Sequence, residues 1–156
     1  MYMKNIKENL RTVVFGVEDS FVSTTGVIVG LIAAGTNKET VLAAGLITIV
    51  VEATSMGAGE FISNDDNPEK EEAALKKGIA MLVSYFLAGL WVMLPLLIFG
   101  SLNNTLIISF TFLSLFFLGL WRGYILGGDK IKYALKTLLI GGAACGFGVA
   151  VGLLFR

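Results

Sequence analysis

Thr48, Glu52, Met56, Glu60 and Ser63 follow one another at intervals of four, four, four and three residues. On a helix these intervals stack side chains along one stripe, so two carboxylates and a thioether share a face. Upstream, Asp19, Ser23, Gly26 and Gly30 make a second face of polar and small residues. Carboxylates alone suit hard divalent cations such as Mg²⁺, Ca²⁺ or Mn²⁺. A thioether one turn from a carboxylate adds a softer donor and tilts the preference toward a first-row transition metal such as Fe²⁺. Asp19, Glu52, Met56 and Glu60 are therefore candidate metal ligands, and Asp19 and Glu52 candidate proton carriers. Met81 and Met93 have no acidic neighbours in the sequence and read as packing residues.

These acids belong to a chain too apolar for a soluble fold. Of 156 residues, 55% are hydrophobic and 15% charged, against a charged fraction of about a quarter in soluble domains. No charged residue occurs between Lys77 and Arg122. As helix that stretch would extend about 66 Å, more than twice a hydrocarbon core, so it must cross a bilayer and turn back. The composition excludes a soluble enzyme and a disordered tail, and a net charge of zero without a basic stripe excludes a nucleic-acid binder. A single Cys145 rules out a disulfide framework, and with no His there is no set for a closed zinc site. No cofactor is expected, and no nucleophile–base pair for an enzyme, since Ser23, Thr24 and Thr25 have no His to activate them.

Hydropathy and punctuation predict an all-α membrane protein, one domain over residues 1–156, with spans at about 13–34, 41–62, 79–99, 105–126 and 134–155. Glu18, Asp19, Glu52 and Glu60 interrupt the first two, which on hydropathy alone could be re-entrant. Lys4, Lys7, Arg11, Lys70, Lys76, Lys77, Arg122, Lys130, Lys132 and Lys136 collect on one side, and only Lys38 and Arg156 on the other. Basic residues resist translocation, so the N-terminus is expected in the cytoplasm and the C-terminus outside. The first residues read as a retained cytoplasmic tail. The connector Ser63 to Gly78 reads as a solvated segment carrying a short polar helix, with Asn67 as cap, Pro68 at the first position, Glu69, Glu71 and Glu72 in the first turn and lysines in the last. A weak cation-collecting role for its acidic end is the functional alternative.

An ionised carboxylate at mid-bilayer costs roughly 2.5 to 3.5 kcal/mol on the translocon insertion scale, so the four acids need compensation. Arg122 and Lys136 are the basic residues inside the spans, and each sits about a turn from a cytoplasmic end where it can snorkel; an ion pair is therefore not expected. Compensation then falls to bound protons or a bound metal. Asp19, eight residues past Arg11, lies about 12 Å deep, and Glu52, ten before Ile62, about 15 Å deep from the same side, so the two can meet at one level. Asp19, Glu52 and Met56 are few donors for an ion that takes about six. A two-fold dimer would double them if its seam ran along span one, where Gly26 and Gly30 permit close approach, although other glycine pairs share that spacing. Pro95 reads as a tolerated kink.

Three segments carry a family resemblance: Val-Glu-Asp-Ser-Phe-Val-Ser-Thr-Thr-Gly-Val-Ile-Val-Gly-Leu in span one, Glu-Ala-Thr-Ser-Met-Gly-Ala-Gly-Glu-Phe-Ile-Ser in span two and Ala-Leu-Lys-Thr-Leu-Leu-Ile-Gly-Gly in span five. They resemble the vacuolar iron transporter family over nearly the whole chain, most specifically around Ser55-Met56-Gly57. The resemblance implies a five-helix, N-in, homodimeric carrier that exports Fe²⁺, often also Mn²⁺, from the cytosol in exchange for protons, with Asp19 and Met56 on the metal path. The chain departs from well-studied eukaryotic members, which have Asp-Gly at Asp19-Ser20. They also place the span-two Glu where this chain has Thr48, and insert a metal-binding helical domain where it has residues 63–78. Such compactness looks prokaryotic, which implies a plasma membrane. Two rival readings stay open: a passive cation channel using the same carboxylates, and a structural membrane protein whose acids serve helix assembly.

Overall fold

The computed structural model describes residues 2–64, 71–100 and 102–156. They form five helices: α1 (Tyr2–Ala33), α2 (Lys38–Asn64), α3 (Glu71–Phe99), α4 (Asn104–Leu126) and α5 (Lys130–Leu154), with no strand among the described residues. All five are long and apolar enough to cross a membrane. The chain is an all-α, multi-pass membrane protein, and α1 and α2 run unbroken through their acids rather than turning back.

Two helices begin earlier than the spans within them. In α1 the segment before Val13 has no Gly or Pro to stop it, so the polar tail continues the spanning helix back to Tyr2. In α3 the run Glu-Glu-Ala-Ala-Leu-Lys-Lys is made of strong helix formers that lead straight into the apolar stretch. The expected separate polar helix is therefore the first turns of α3; Asn67, Pro68 and Glu69 lie outside the described residues. Gly78 does not break the helix because it is needed for packing: a Cβ there would lie 2.7 Å from the carbonyl oxygen of Gly57 on α2. The helix also runs through Pro95, as expected.

Turn chemistry sets the other ends. Asn103 caps α4 by accepting from the backbone N–H of Thr105 at 3.0 Å and Leu106 at 3.3 Å, and Asp129 caps α5 by accepting from Ile131 and Lys132. Gly127 ends α4 at φ 66°, a left-handed position that a residue without Cβ adopts freely.

Helix α1 is the axis of the bundle. It packs against each of the other four, with the α2–α3 hairpin to one side and the α4–α5 hairpin to the other. Half of its most apolar stretch is buried, against 22% for α5, whose outer face carries Leu139, Phe147 and Leu154 toward lipid. Gly26 and Gly30 are used inside the chain: they press against Gly148 and Gly152 of α5, and a Cβ on Gly30 would lie 2.7 Å from the Gly148 carbonyl. The close-approach face offered by the sequence for a dimer seam is thus occupied by α5, because a central helix spends its small residues on its own neighbours. Met93 is fully buried in the core between α1, α2 and α3, as a packing residue should be.

Candidate functional site

Helices α1 and α2 run antiparallel, and their register sets which acids meet. Near the end where α1 begins, the Thr12 hydroxyl donates to Glu60 Oε1 at 2.9 Å. Seven residues deeper along α1, about 10 Å on, comes Asp19, and eight residues back from Glu60 along α2, about 12 Å, comes Glu52. The two carboxylates interact electrostatically, and Glu18 adds its charge to theirs. Met56 lies on α2 midway between the levels of Glu52 and Glu60 and is half-buried. The structure places Asp19 within electrostatic reach of Glu52, and sets Glu60 at a second, shallower level. Among the described residues no three of His, Cys, Asp and Glu converge to hold a metal.

Helix α3 contributes a residue that the sequence did not single out. Tyr85 is fully buried, and its hydroxyl donates to Glu52 Oε2. The Ser23 hydroxyl lies 2.5 Å from the same phenol oxygen; since the phenol proton goes to Glu52, Ser23 is the donor there. One turn earlier on α1, the Ser20 hydroxyl donates to the Tyr85 carbonyl at 2.7 Å. Tyr85 thereby ties α1, α2 and α3 together at the level of the acid pair. The available signal was a lone phenol in an apolar span, since a buried tyrosine hydroxyl takes a partner.

Glu18 corrects an expectation. Its carboxylate pairs with the Arg122 guanidinium of α4 at 3.0 Å, with side-chain exposures of 15% and 40%. The expectation that no ion pair would form treated Arg122 as a residue at a helix end, free to reach water. Antiparallel packing of α4 on α1 instead puts it opposite Glu18, and the guanidinium also lies over the Tyr133 ring, 5.7 Å from its centroid. Among the described residues neither Asp19 nor Glu52 has such a partner.

Below the acid pair, at the end where α1 begins, a cavity of about 1010 Å³ opens between α1, α2, α3 and α4. Glu18, Glu60, Asn64, Lys77 and Arg122 give it polar walls, and Phe15 and Met81 apolar ones. Met81 therefore lines the cavity as well as packing against Gly16.

A bundle of five membrane-crossing helices, four of them packed on a central one, with acids facing each other between α1 and α2, defines a multi-pass membrane protein carrying a polar centre within its apolar thickness. The VIT family profile matches residues 10–77 and 64–153, and the chain belongs to that family. It is similar to "Vacuolar iron transporter homolog 4" of Arabidopsis thaliana, 28% identical over 152 residues covering 85% of this chain and 76% of that protein. It is also similar to "Vacuolar iron transporter homolog 2" of Oryza sativa subsp. japonica, 39% identical over 54 residues covering 35% of this chain and 29% of that protein.

Proposed function

We propose that the chain is a proton-coupled carrier that moves a divalent transition metal, Fe²⁺ and also Mn²⁺, out of the cytosol. The observation that carries this reading is the Asp19–Glu52 pair: two acids set against each other within the membrane thickness, without a basic partner among the described residues. Like charges so placed need either protons or a cation. A site that holds protons when empty and releases them to a divalent ion exchanges one for the other, which is the elementary step of an antiporter. Names of the relatives, both called vacuolar iron transporter homologs, support iron as the cargo.

The path begins at the cavity, on the side that the basic residues mark as cytoplasmic. A metal ion passes Glu60, then Met56, then reaches Asp19 and Glu52. The thioether of Met56 favours Fe²⁺ over the harder Mg²⁺. One chain supplies fewer donors than a first-row ion takes, which supports a homodimer that brings two such sets to one path. Since α5 covers Gly26 and Gly30, a seam would use the outward face of α2, where Val50, Val51 and Ile62 are exposed. The proposed location is a plasma membrane, with the N-terminus inside, for a chain whose segment between α2 and α3 is short.

The test is metal entry and lumenal pH followed together in sealed proteoliposomes. Mn²⁺ or Fe²⁺ should enter against its own gradient when a pH gradient is imposed, protons should leave as it enters, and apparent affinity should weaken as pH falls. Uptake that only runs down the metal gradient, with no proton counterflow, overturns the carrier in favour of a channel; no uptake at all leaves a structural membrane protein.

A further inference from the structure

The two carboxylate oxygens of Glu52 differ. Oε2 accepts the Tyr85 hydroxyl, while among the described residues Oε1 has no donor. The phenol has no freedom to leave. Its ring is wholly buried, its oxygen is also held by Ser23, and its backbone carbonyl is held by Ser20. Swinging away would strand the buried phenol hydroxyl without the partner it needs. Glu52 is therefore presented with one oxygen holding the phenol hydrogen bond and the other without a donor among the described residues.

We propose that Tyr85 is a specificity-determining residue that makes Glu52 a one-oxygen ligand and so discriminates against Ca²⁺. The inference rests on the reading of Asp19 and Glu52 as the transport site. Ca²⁺ gathers six to eight oxygens and readily takes both oxygens of a carboxylate, whereas smaller first-row ions complete a tighter shell from fewer donors. The phenol hydrogen bond fixes the rotation of the carboxylate and draws charge from Oε2, which makes that oxygen the weaker donor and penalises Ca²⁺, the ion that needs more oxygens. A metal arriving at Oε1 leaves the Tyr85 hydrogen bond intact, so the phenol acts as a fixed wall and never touches the ion. Mg²⁺, equally small, is rejected on other grounds: it gives up water reluctantly and gains little from Met56.

The experiment is Mn²⁺ uptake into proteoliposomes, with Ca²⁺ as competitor and as sole substrate, for wild type and Tyr85→Phe. Removing the hydroxyl frees Oε2, so the Ca²⁺ concentration that halves Mn²⁺ uptake should fall about tenfold, the worth of one additional ligand contact. Ca²⁺ uptake alone should rise while Mn²⁺ uptake persists. In a Glu52→Gln background, read as equilibrium binding of Mn²⁺ and Ca²⁺ to the purified protein rather than as flux, the same substitution should leave the ratio of the two affinities unchanged, because Tyr85 acts through Glu52. A ratio unaltered by Tyr85→Phe, with both ions slowed alike, means a packing role only and overturns the proposal, as does an equal shift in the Glu52→Gln background. Should Tyr85→Phe fail to fold, Ser23→Ala decides: it loosens the phenol and should move selectivity in the same direction, and an unchanged ratio there overturns the proposal too. The wild-type control separates the two readings, since wild type that moves no Mn²⁺ ends the transport reading, and this inference with it.

Discussion

Glu18 and Asp19 are neighbours in sequence, about 100° apart around α1, and that rotation sends them to different fates. Glu18 faces α4 and meets Arg122; Asp19 faces α2 and meets another acid, Glu52. Same helix, nearly the same depth, similar chemistry: what separates them is the charge opposite. A carboxylate with a guanidinium beside it is neutralised by the fold and has nothing to exchange. One with only a second carboxylate beside it depends on something that arrives from outside. An acid in a membrane helix therefore signals a functional centre only after its neighbours on adjoining helices are known, and only one of these two passes that test.

The largest effect should come from the unpaired side. Asp19→Asn keeps shape and hydrogen bonding but loses the charge that draws a cation, and Met56→Leu keeps volume but removes sulfur. Each should reduce metal flux at least on the order of a hundredfold, the scale on which even outer-sphere partners of a metal act, while size-exclusion and thermal unfolding profiles stay those of wild type. Wild-type flux from both would remove the distinction drawn between the two acids.

On the paired side the effect should be smaller and of another kind. Glu18→Gln leaves Arg122 partly exposed and able to find water, so the loss is of stability rather than transport. Discounted for screening at a guanidinium 40% exposed, it should be roughly 1 kcal/mol or less. Thermal unfolding in detergent would register this as a small shift, with flux changed only by the modest loss of Glu18's field at Asp19. If Glu18→Gln stopped transport as completely as Asp19→Asn, the ion pair would belong to the transport machinery and the contrast between the neighbours would collapse.

How much of this was legible beforehand follows from what each signal depends on. Helix number and crossing were legible because a long uncharged run has few alternatives in a bilayer. The level at which Asp19 meets Glu52 was legible because rise per residue is fixed and short turns force antiparallel neighbours. Arg122 and Tyr85 were misjudged or missed because their partners, Glu18 and Glu52, are distant in sequence and set by which helix packs on which. The same holds for Gly26 and Gly30, whose spacing marks a close approach but not the helix that makes it. Local periodicity gives the face; only packing says what the face meets.

The smallest expected effect concerns a second pair of acids, Glu71 and Glu72, which begin α3 where carboxylates favour a helix start. Lys76 donates to Glu72 Oε1 at 2.6 Å, and this hydrogen bond, then the Lys76 charge, hold the Glu72 carboxyl below the usual carboxylate range. A carboxyl lowered in the folded state adds stability above its unfolded value and loses it as pH falls through the folded one. That loss lies on the acid side, well away from neutrality. Both side chains are largely in water, so the contribution is small and salt-screened. Glu71→Gln with Glu72→Gln should therefore change the apparent KM for metal by less than about twofold, since exposed charges act weakly. The pH dependence of transport near neutrality should survive unaltered, because Glu72 stays ionised throughout that range. Flux measured against pH for the double variant decides between the two acid clusters. If the pH dependence vanished, the exposed acids would be the proton-sensitive groups, and the Asp19–Glu52 pair would be a metal site without a part in proton exchange.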